Sequence, residues 1–147
     1  MRPRHRVRQT VNVINLSTPL GFLIAGIGRA KPSRGPHGLV VARGYRLRVP
    51  AAVAFTVGNV IVVRISDERL AGRPELLLHE GRHATQYAFC IGPLMLPFYF
   101  VAAGVSWVLS GDFASHNLFE RLAGLDDGGY QRRPVRVALA GRRRRAG

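Results

Sequence analysis

Apolar and polar positions along the chain change their period several times, and each change marks a different element. Residues 11–28 form an apolar run that Pro19 interrupts, which predicts a short packed segment rather than a signal peptide or a membrane anchor. Residues 39–65 alternate with a period of two, as in "YRLRV", where apolar residues alternate with arginines. Such alternation is typical of half-buried strands, so this stretch predicts a β-sheet.

Short polar breaks divide the strand-rich stretch. Arg43-Gly44 lies between "LVVA" and "YRLRV" and predicts a tight hairpin turn. Gly58-Asn59 lies within "AVAFTVGNVIVVRI" and is compatible with a second hairpin turn or with a glycine bulge in one bent strand. Residues 28–38, rich in Gly, Pro and Arg, predict a loop ahead of the sheet.

Helical spacing replaces the strand pattern after the sheet. Residues 75–90 carry side chains that recur at three- and four-residue intervals, which predicts a helix that Gly92-Pro93 ends. Residues 94–110 predict a second, very apolar helix with a kink near Pro97, and residues 116–125 predict a third. The order of elements indicates an α+β fold, with a small antiparallel β-sheet followed by a helical layer.

Length and charge set the expected domain organisation. A chain of 147 residues predicts one domain, which we place at residues 11–130. Arginines are concentrated in residues 1–10 and 131–147, and these ends predict a disordered basic arm and a disordered basic tail. The single cysteine, Cys90, excludes an intrachain disulfide.

The net charge of +14 raises the question of nucleic acid binding. Of the 22 basic residues, 21 are arginines, a skew that a GC-rich coding sequence produces whatever the function. No aromatic residues interleave with the terminal arginine runs, so the sequence carries no visible stacking platform for single strands. Composition therefore argues against nucleic acid binding as the purpose, although loose attraction to nucleic acid or to an anionic membrane surface is expected.

The segment "LLLHEGRHATQY", residues 76–87, carries the motif with the most specific chemistry. His79 and His83 are four positions apart, so they lie on one face of the predicted helix, close enough to share a metal ion. Glu80 completes an H-E-x-x-H arrangement, in which a carboxylate beside a bound zinc ion accepts the proton of a water molecule. Because the helix is predicted to be buried, these three side chains need partners, and Zn2+ would satisfy them together.

A catalytic zinc site needs a third protein ligand and an open position. Glu120 is the predicted third ligand, because it is the only glutamate downstream of the motif and lies on a short predicted helix. The alternative ligands are the other acidic or imidazole side chains of this region, namely Asp112, His116, Asp126 and Asp127. The non-functional alternative is a solvated Glu120 beside Arg121.

The second predicted helix also bears on the metal site. Residues 84–111 contain no charged side chain, so this helix is nearly long enough to span a bilayer. If it does, the two histidines and Glu120 lie on opposite sides of about 30 Å of hydrocarbon and cannot share one ion. If the chain folds back at Gly92-Pro93, a shared site is allowed. We expect this second arrangement, in a protein that is cytoplasmic or associated with a membrane surface.

A family resemblance accompanies the motif. "AFTVGNVIVV" followed by "LLLHEGRHATQY" resembles the small metallopeptidase-like domain, of unknown function, found in bacterial injection-system toxins. In that domain an F/I-T-x-G-x-x-I strand precedes an L-L-x-H-E-x-x-H-x-x-Q helix. The later segments "GPLMLPFYFVAAG" and "NLFERLAG" are similar to bacterial H-E-x-x-H proteins in which G-P-x-x-x-P-x-Y leads to N-x-F-E. The resemblance covers about residues 52–125.

The resemblance implies a zincin-like domain of the gluzincin type. His79, His83 and Glu120 would then hold zinc, and Glu80 would be the base in the hydrolysis of a peptide bond. The strand from Thr56 to Val60 would run beside a peptide or protein substrate.

One feature departs from this family. Gly81-Arg82 fills the middle of the motif, where zincins usually carry uncharged, helix-favouring residues. Glycine lowers helix propensity by about 1 kcal/mol, and Arg82 brings a cation near a dication. The alternative function is a non-catalytic, membrane-associated protein in which the His/Glu group, or a metal held by it, is structural.

Overall fold

The chain adopts the α+β fold that the order of elements predicts. A computed structural model describes residues 2–136. Within this part of the chain lie six α-helices: α1 (Pro3–Ile14), α2 (Ser17–Ile27), α3 (Asp67–Ala71), α4 (Pro74–Phe89), α5 (Met95–Ser110) and α6 (Leu118–Ala123). Four strands form one sheet: β1 (Lys31–Arg34), β2 (Val40–Arg43), β3 (Ala54–Val57) and β4 (Val60–Val63).

The chain divides into two compact units between Met95 and Leu96. The first contains the sheet and α1 to α4, and the second contains most of α5 together with α6. The single domain expected over residues 11–130 stays a prediction.

The sheet is mixed rather than purely antiparallel. Its strand order is β1-β2-β4-β3, with β1–β2 and β3–β4 antiparallel and β2–β4 parallel. The expected antiparallel sheet is therefore wrong at one pair, because β4, the second strand of a hairpin, lies against β2. β4 consists of Val and Ile only and is buried along its whole length, as a central strand covered on both faces requires.

The hairpin expected at Arg43-Gly44 does not form. β2 already pairs with β1 on one edge and with β4 on the other, so neither edge is free to form a hairpin with the segment after Gly44. The Arg46 amide instead donates to the Gly28 carbonyl oxygen at 2.9 Å. β1 lies within the segment expected to be a loop, and its four residues are all exposed.

The Gly58-Asn59 pair, for which two interpretations were open, forms a hairpin turn between β3 and β4. Gly58 has a φ of +61°, the sign that a type II′ turn needs at its first central position. A Cβ on Gly58 would lie 2.4 Å from the Thr18 amide nitrogen at the start of α2. Glycine is therefore required both by the turn and by the close approach of α2.

The sheet of the first unit lies between two helices, and each face has its own core. One face packs against α4, with buried side chains that include Val41, Ile61, Val63, Leu76 and Ala84. The other face packs against α2, with buried side chains that include Ala25, Ala42, Tyr45, Val60 and Val62. The segment 11–28, expected to be short and packed, supplies the end of α1 and all of α2.

The basic arm expected to be disordered over residues 1–10 is helical from Pro3 onwards. Pro3 suits the first turn of a helix, and α1 packs against both α4 and α2. The tertiary contacts therefore order a segment whose charge alone predicts disorder.

Of the expected basic tail, residues 137–147 lie outside the described part of the chain. Within its described part, the Arg133 amide donates to the Ser115 hydroxyl at 3.0 Å.

A buried amide network joins α1, the β3–β4 turn and α4. The Asn12 amide group donates to Asn59 Oδ1 at 3.1 Å and to the Ala84 carbonyl oxygen at 2.7 Å. The Asn59 amide group donates to Thr18 Oγ1 at 2.9 Å and to the Gln9 carbonyl oxygen at 3.1 Å. Both asparagines are fully buried, so this network fixes how α1 sits on the rest of the first unit.

We expect Asn59→Ala to lower the free energy of unfolding by about 3 kcal/mol, because it removes three hydrogen bonds and leaves buried partners unsatisfied. Urea unfolding followed by circular dichroism measures this loss. Gln131→Ala is the matched control, since its side chain is exposed, and it should change stability by less than about 0.5 kcal/mol. Equal stability of the two variants would contradict a structural role for the network.

The three helices expected after the sheet correspond to α4, α5 and α6. Pro97 lies in the first turn of α5, where its missing N–H breaks no hydrogen bond of that helix, and the kink expected near it stays a prediction. In the second unit, Asn117 Oδ1 accepts from the Phe119 amide at 3.0 Å and caps α6.

One stretch of the described chain, Gly92–Ser110, is long and apolar enough to cross a membrane, and α1 with α2 passes the same test only as a pair bent by 72°. Core helices and signal sequences share this length and composition, so both a soluble and a membrane-associated protein are compatible with the helix. Within this apolar window 22% of the residues are buried, and half of the α5 residues are exposed.

Candidate metal centre

α4 presents a stripe of buried side chains at helical spacing, namely Leu76, His79, Glu80, His83, Ala84 and Tyr87. The three polar members of the H-E-x-x-H motif therefore occupy positions that a core helix usually fills with apolar residues. His79, Glu80 and His83 are 2%, 4% and 7% exposed. Their burial means that each must be compensated by a specific partner.

The two histidines converge on one point. Their Nε2 atoms are 3.1 Å apart, and their rings meet edge to face with centroids 4.7 Å apart. Two nitrogen ligands of a tetrahedral zinc ion, each at about 2.0–2.1 Å, are roughly 3.3 Å from one another. The observed spacing is close to that of a metal-binding pair.

Gln86 holds the ring of His83. Its Oε1 lies 2.8 Å from His83 Nδ1, so the proton of a neutral imidazole lies on Nδ1 and is donated to the amide oxygen. Nε2 then keeps its lone pair and points towards His79. Such an outer partner is what orients the imidazole ligands of metal sites.

Glu80 is positioned from the sheet. Thr56 Oγ1 on β3 donates to Glu80 Oε2 at 2.7 Å and lies 3.2 Å from the Glu80 backbone carbonyl oxygen. Tyr87 is nearby, and burial together with the negative charge of Glu80 raises the pKa of its phenol. Glu80 is thus a buried carboxylate with a fixed orientation, adjacent in sequence to His79.

Glu120 lies in the second unit, in the first turn of α6, and is 2% exposed. The Tyr99 hydroxyl on α5 donates to Glu120 Oε1 at 2.5 Å, a short bond of the kind formed with a carboxylate. The alternative of a solvated Glu120 beside Arg121 is therefore wrong.

Among residues 2–136, one group of three or more potential metal ligands comes together, and it consists of His79, His83 and Glu120. Their ligand atoms all lie within 4.8 Å of one another, and all three side chains are buried. Two imidazole nitrogens and one carboxylate oxygen form a donor set that suits zinc and other divalent transition metals. This buried group can hold a metal ion.

The alternative third ligands have other roles or lie outside this group. Asp112 Oδ1 accepts from the amides of Ala114 and Ser115 and from the Ser115 hydroxyl, all within 3.1 Å. Despite partial desolvation, these bonds lower the pKa of Asp112. His116 Nε2 lies 3.0 Å from the Arg133 carbonyl oxygen. Both residues therefore organise the loop between α5 and α6.

The unusual centre of the motif fits this arrangement. Arg82 is exposed, whereas the histidines on either side of it in the helical pattern are buried. A Cβ on Gly81 would lie 3.4 Å from Leu39 Cδ1, an ordinary van der Waals contact, so packing against the sheet does not require glycine at this position.

Sequence reasoning did not assign three side chains that position the candidate ligands and base: Thr56, Gln86 and Tyr99. Gln86 follows His83 at helical spacing and is the final residue of the L-L-x-H-E-x-x-H-x-x-Q pattern, so two signals marked it. Thr56 and Tyr99 lie within the quoted F/I-T-x-G-x-x-I and G-P-x-x-x-P-x-Y patterns, but their partners are 24 and 21 residues away in the chain, so no local pattern indicates these contacts.

The comparisons with known proteins leave the relationship to zincins as a resemblance carried by the motif. No protein-family model, no curated protein and no solved structure matches the chain.

Proposed function

We propose that this protein is a zinc-dependent metallopeptidase-like enzyme, in which His79, His83 and Glu120 hold the ion and Glu80 is the general base. The observation that carries the proposal is the convergence of three buried ligand atoms within 4.8 Å of one another. A fourth buried side chain, the carboxylate of Glu80, follows His79 in the chain and accepts a hydrogen bond from Thr56. This combination of a two-histidine, one-glutamate donor set and an adjacent carboxylate supports hydrolysis.

When bound, zinc supplies a Lewis acid and lowers the pKa of water to about 7. Glu80 accepts the proton of the attacking water, because its carboxylate is buried and turned by Thr56 rather than free to rotate in solvent. After the carbonyl carbon is attacked, the same carboxyl group gives the proton to the leaving amine. Gln86 and Tyr99 hold His83 and Glu120 in the orientations that a ligand needs.

An extended peptide is the substrate class that this geometry supports. β3 is an edge strand of the sheet, and Thr56 on it contacts Glu80 directly. A peptide that pairs with the backbone of an edge strand is held in register without regard to most of its side chains. The expected strand from Thr56 to Val60 is shorter than predicted, because the Gly58-Asn59 turn ends it at Val57.

Elemental analysis of the purified full chain tests the metal site. We expect about one zinc ion per chain, and Glu120→Ala should lower zinc affinity by more than the roughly 10–100-fold that loss of an outer partner costs. Asp126→Ala is the matched control, because it removes an exposed carboxylate from the same unit. Unchanged zinc binding in Glu120→Ala would exclude this residue as the third ligand.

Tyr99→Phe should weaken zinc binding by about 10–100-fold while leaving the fold intact, because the bond that orients Glu120 is lost and the ring is kept. Competition with a chromophoric zinc chelator measures the affinity. Tyr45→Phe is the control, since it removes a phenol hydroxyl whose partner is the Val49 carbonyl oxygen. If both variants bind zinc like the wild type, Tyr99 does not position a ligand.

A second candidate function is that of a non-catalytic, membrane-associated protein with a structural His/Glu cluster. The observation that favours it is a set of large apolar side chains on α5 that are about half exposed or more, namely Phe98, Phe100, Val101, Val105, Trp107 and Val108. Retention in the membrane after carbonate extraction, in a preparation free of metal, would favour this candidate over the enzyme.

A further inference from the structure

The first unit contains a cavity of about 730 Å³ that the metal-site residues do not line. Its walls are the start of α1, the turn at Pro36–Gly38 and one side of α4. From α4 it is lined by Leu77, Leu78, Gly81, Arg82 and Thr85. The cavity therefore lies on a side of α4 that the H-E-x-x-H chemistry leaves unused.

The charge of this cavity has a single sign. Five basic side chains line it and no acidic one does, and they are Arg4, His5, Arg8, His37 and Arg82. No acidic residue precedes Asp67 in the chain, so the whole segment that forms the α1 side of the cavity is cationic. The potential inside is positive and attracts anions.

Arg8 is the central observation, because it is 7% exposed and yet has no counter-charge. One guanidinium nitrogen, Nη2, donates to the His37 carbonyl oxygen at 2.7 Å. Its Nε is buried without a hydrogen-bond partner, and none of the carboxylates in the described part of the chain forms an ion pair with it. A buried guanidinium without an anion is costly, and an anion in the cavity would remove that cost.

The imidazole of His5 lies among the same positive charges. Its ring stacks on that of His37, with centroids 4.6 Å apart. Desolvation first, and then the positive charges of His37, Arg8, Arg4 and Arg2, lower the pKa of His5. The basic groups of this wall are thus close enough for each to disfavour the charged form of its neighbours.

The remaining lining is largely apolar. Pro36, Leu39, Pro74, Leu77 and Leu78 face the same space as the basic groups. A small inorganic anion would leave this surface uncovered. The lining therefore fits a molecule with an anionic end and an apolar body.

We propose that this cavity binds a phosphate group carried on an apolar molecule, with the phosphate against Arg4 and Arg8 and the apolar part along α4. Phosphate is favoured over a carboxylate because several guanidinium groups face one cavity, and a phosphate monoester offers them three acceptor oxygens and a larger negative charge than a carboxylate does. The phosphate belongs either to a soluble phosphate monoester or to a phospholipid headgroup. The site is independent of the proposed zinc chemistry.

Titration calorimetry of the full chain with hexyl phosphate tests the proposal, in a chelator-containing buffer so that a bound metal does not contribute. We expect saturable binding that Arg8→Met and Arg4→Ala each weaken by at least about tenfold. Arg8→Met keeps an unbranched apolar stem and removes the guanidinium group, and Arg4→Ala, at an exposed position, serves if the buried substitution does not fold. Arg6→Ala is the matched control, because Arg6 is exposed on α1 and does not line the cavity.

Vesicle sedimentation distinguishes the two sources of phosphate. Binding to phosphatidic acid vesicles, but not to phosphatidylcholine vesicles, that depends on Arg4 and Arg8 and not on Arg6 would assign a phospholipid headgroup. Binding of hexyl phosphate with the same dependence, and none to either vesicle, would assign a soluble monoester. The proposal is overturned if neither ligand binds, or if Arg6→Ala weakens binding as much as Arg4→Ala does. His79→Ala/His83→Ala should bind hexyl phosphate like the wild type, so failure of the zinc site and failure of this site are separate results.

Discussion

Alanine in place of His79 or His83 is expected to abolish metal binding by the purified protein. Each imidazole supplies one of the two nitrogens that lie 3.1 Å apart, and a lone imidazole with Glu120 leaves two ligands where a structural or catalytic zinc site uses three or four. Inductively coupled plasma mass spectrometry after gel filtration should show about one zinc ion per wild-type chain. In both variants the zinc content should fall to the level of a protein that has no zinc site.

His116→Ala is the control for this loss. It also removes an imidazole, but one in the loop between α5 and α6, whose Nε2 lies 3.0 Å from the carbonyl oxygen of Arg133, a residue that follows α6. Its zinc content should equal that of the wild type, and circular dichroism should show all three variants folded. Zinc that remains bound in the His79 and His83 variants would end the metal-site interpretation.

Glu80→Gln should lower the rate of peptide hydrolysis by roughly 10²–10⁴-fold while zinc binding is retained. Glutamine keeps an oxygen that accepts from the Thr56 hydroxyl, so the side chain stays in place, but it cannot take up a proton. The measurement is kcat on an unstructured fluorogenic peptide, paired with elemental analysis of the same sample.

Glu75→Gln provides the comparison, because Glu75 lies in the first turn of the same helix and its carboxylate faces Arg73 at the surface. Its kcat should match that of the wild type. A Glu80→Gln variant that hydrolyses peptides at the wild-type rate would exclude Glu80 as the base. A wild-type protein that binds zinc and hydrolyses no peptide would favour the structural role of the cluster.

The helix of the motif could be predicted because its buried face follows a regular spacing. Leu76, His79, His83 and Tyr87 are all buried, and they recur at intervals of three and four residues. The strand β1 could not be predicted, since "KPSR" has no apolar alternation and all four residues are exposed. It is a strand because its backbone pairs with β2, and this pairing leaves no trace in side-chain hydrophobicity.

The sequence failed to predict that α1 is an ordered helix, for a related reason. Arg8 and Asn12 are buried polar residues, and a pattern of apolar positions assigns such residues to the surface. The hydrogen bonds of Asn12 reach partners 47 and 72 residues away, which no local reading of the chain anticipates. Glu120, in contrast, could be singled out, because few downstream side chains offered a ligand of the right chemistry.

The hydroxyl group of Thr56 on β3 contacts Glu80 on α4. Because that hydroxyl meets both the carboxylate and the backbone carbonyl oxygen of Glu80, a displacement of β3 carries the carboxylate along with it. In an enzyme of the proposed kind, a peptide that binds along the edge of the sheet would then also set the position of the Glu80 carboxylate. Substitutions along β3 would accordingly slow turnover in samples whose zinc content is normal.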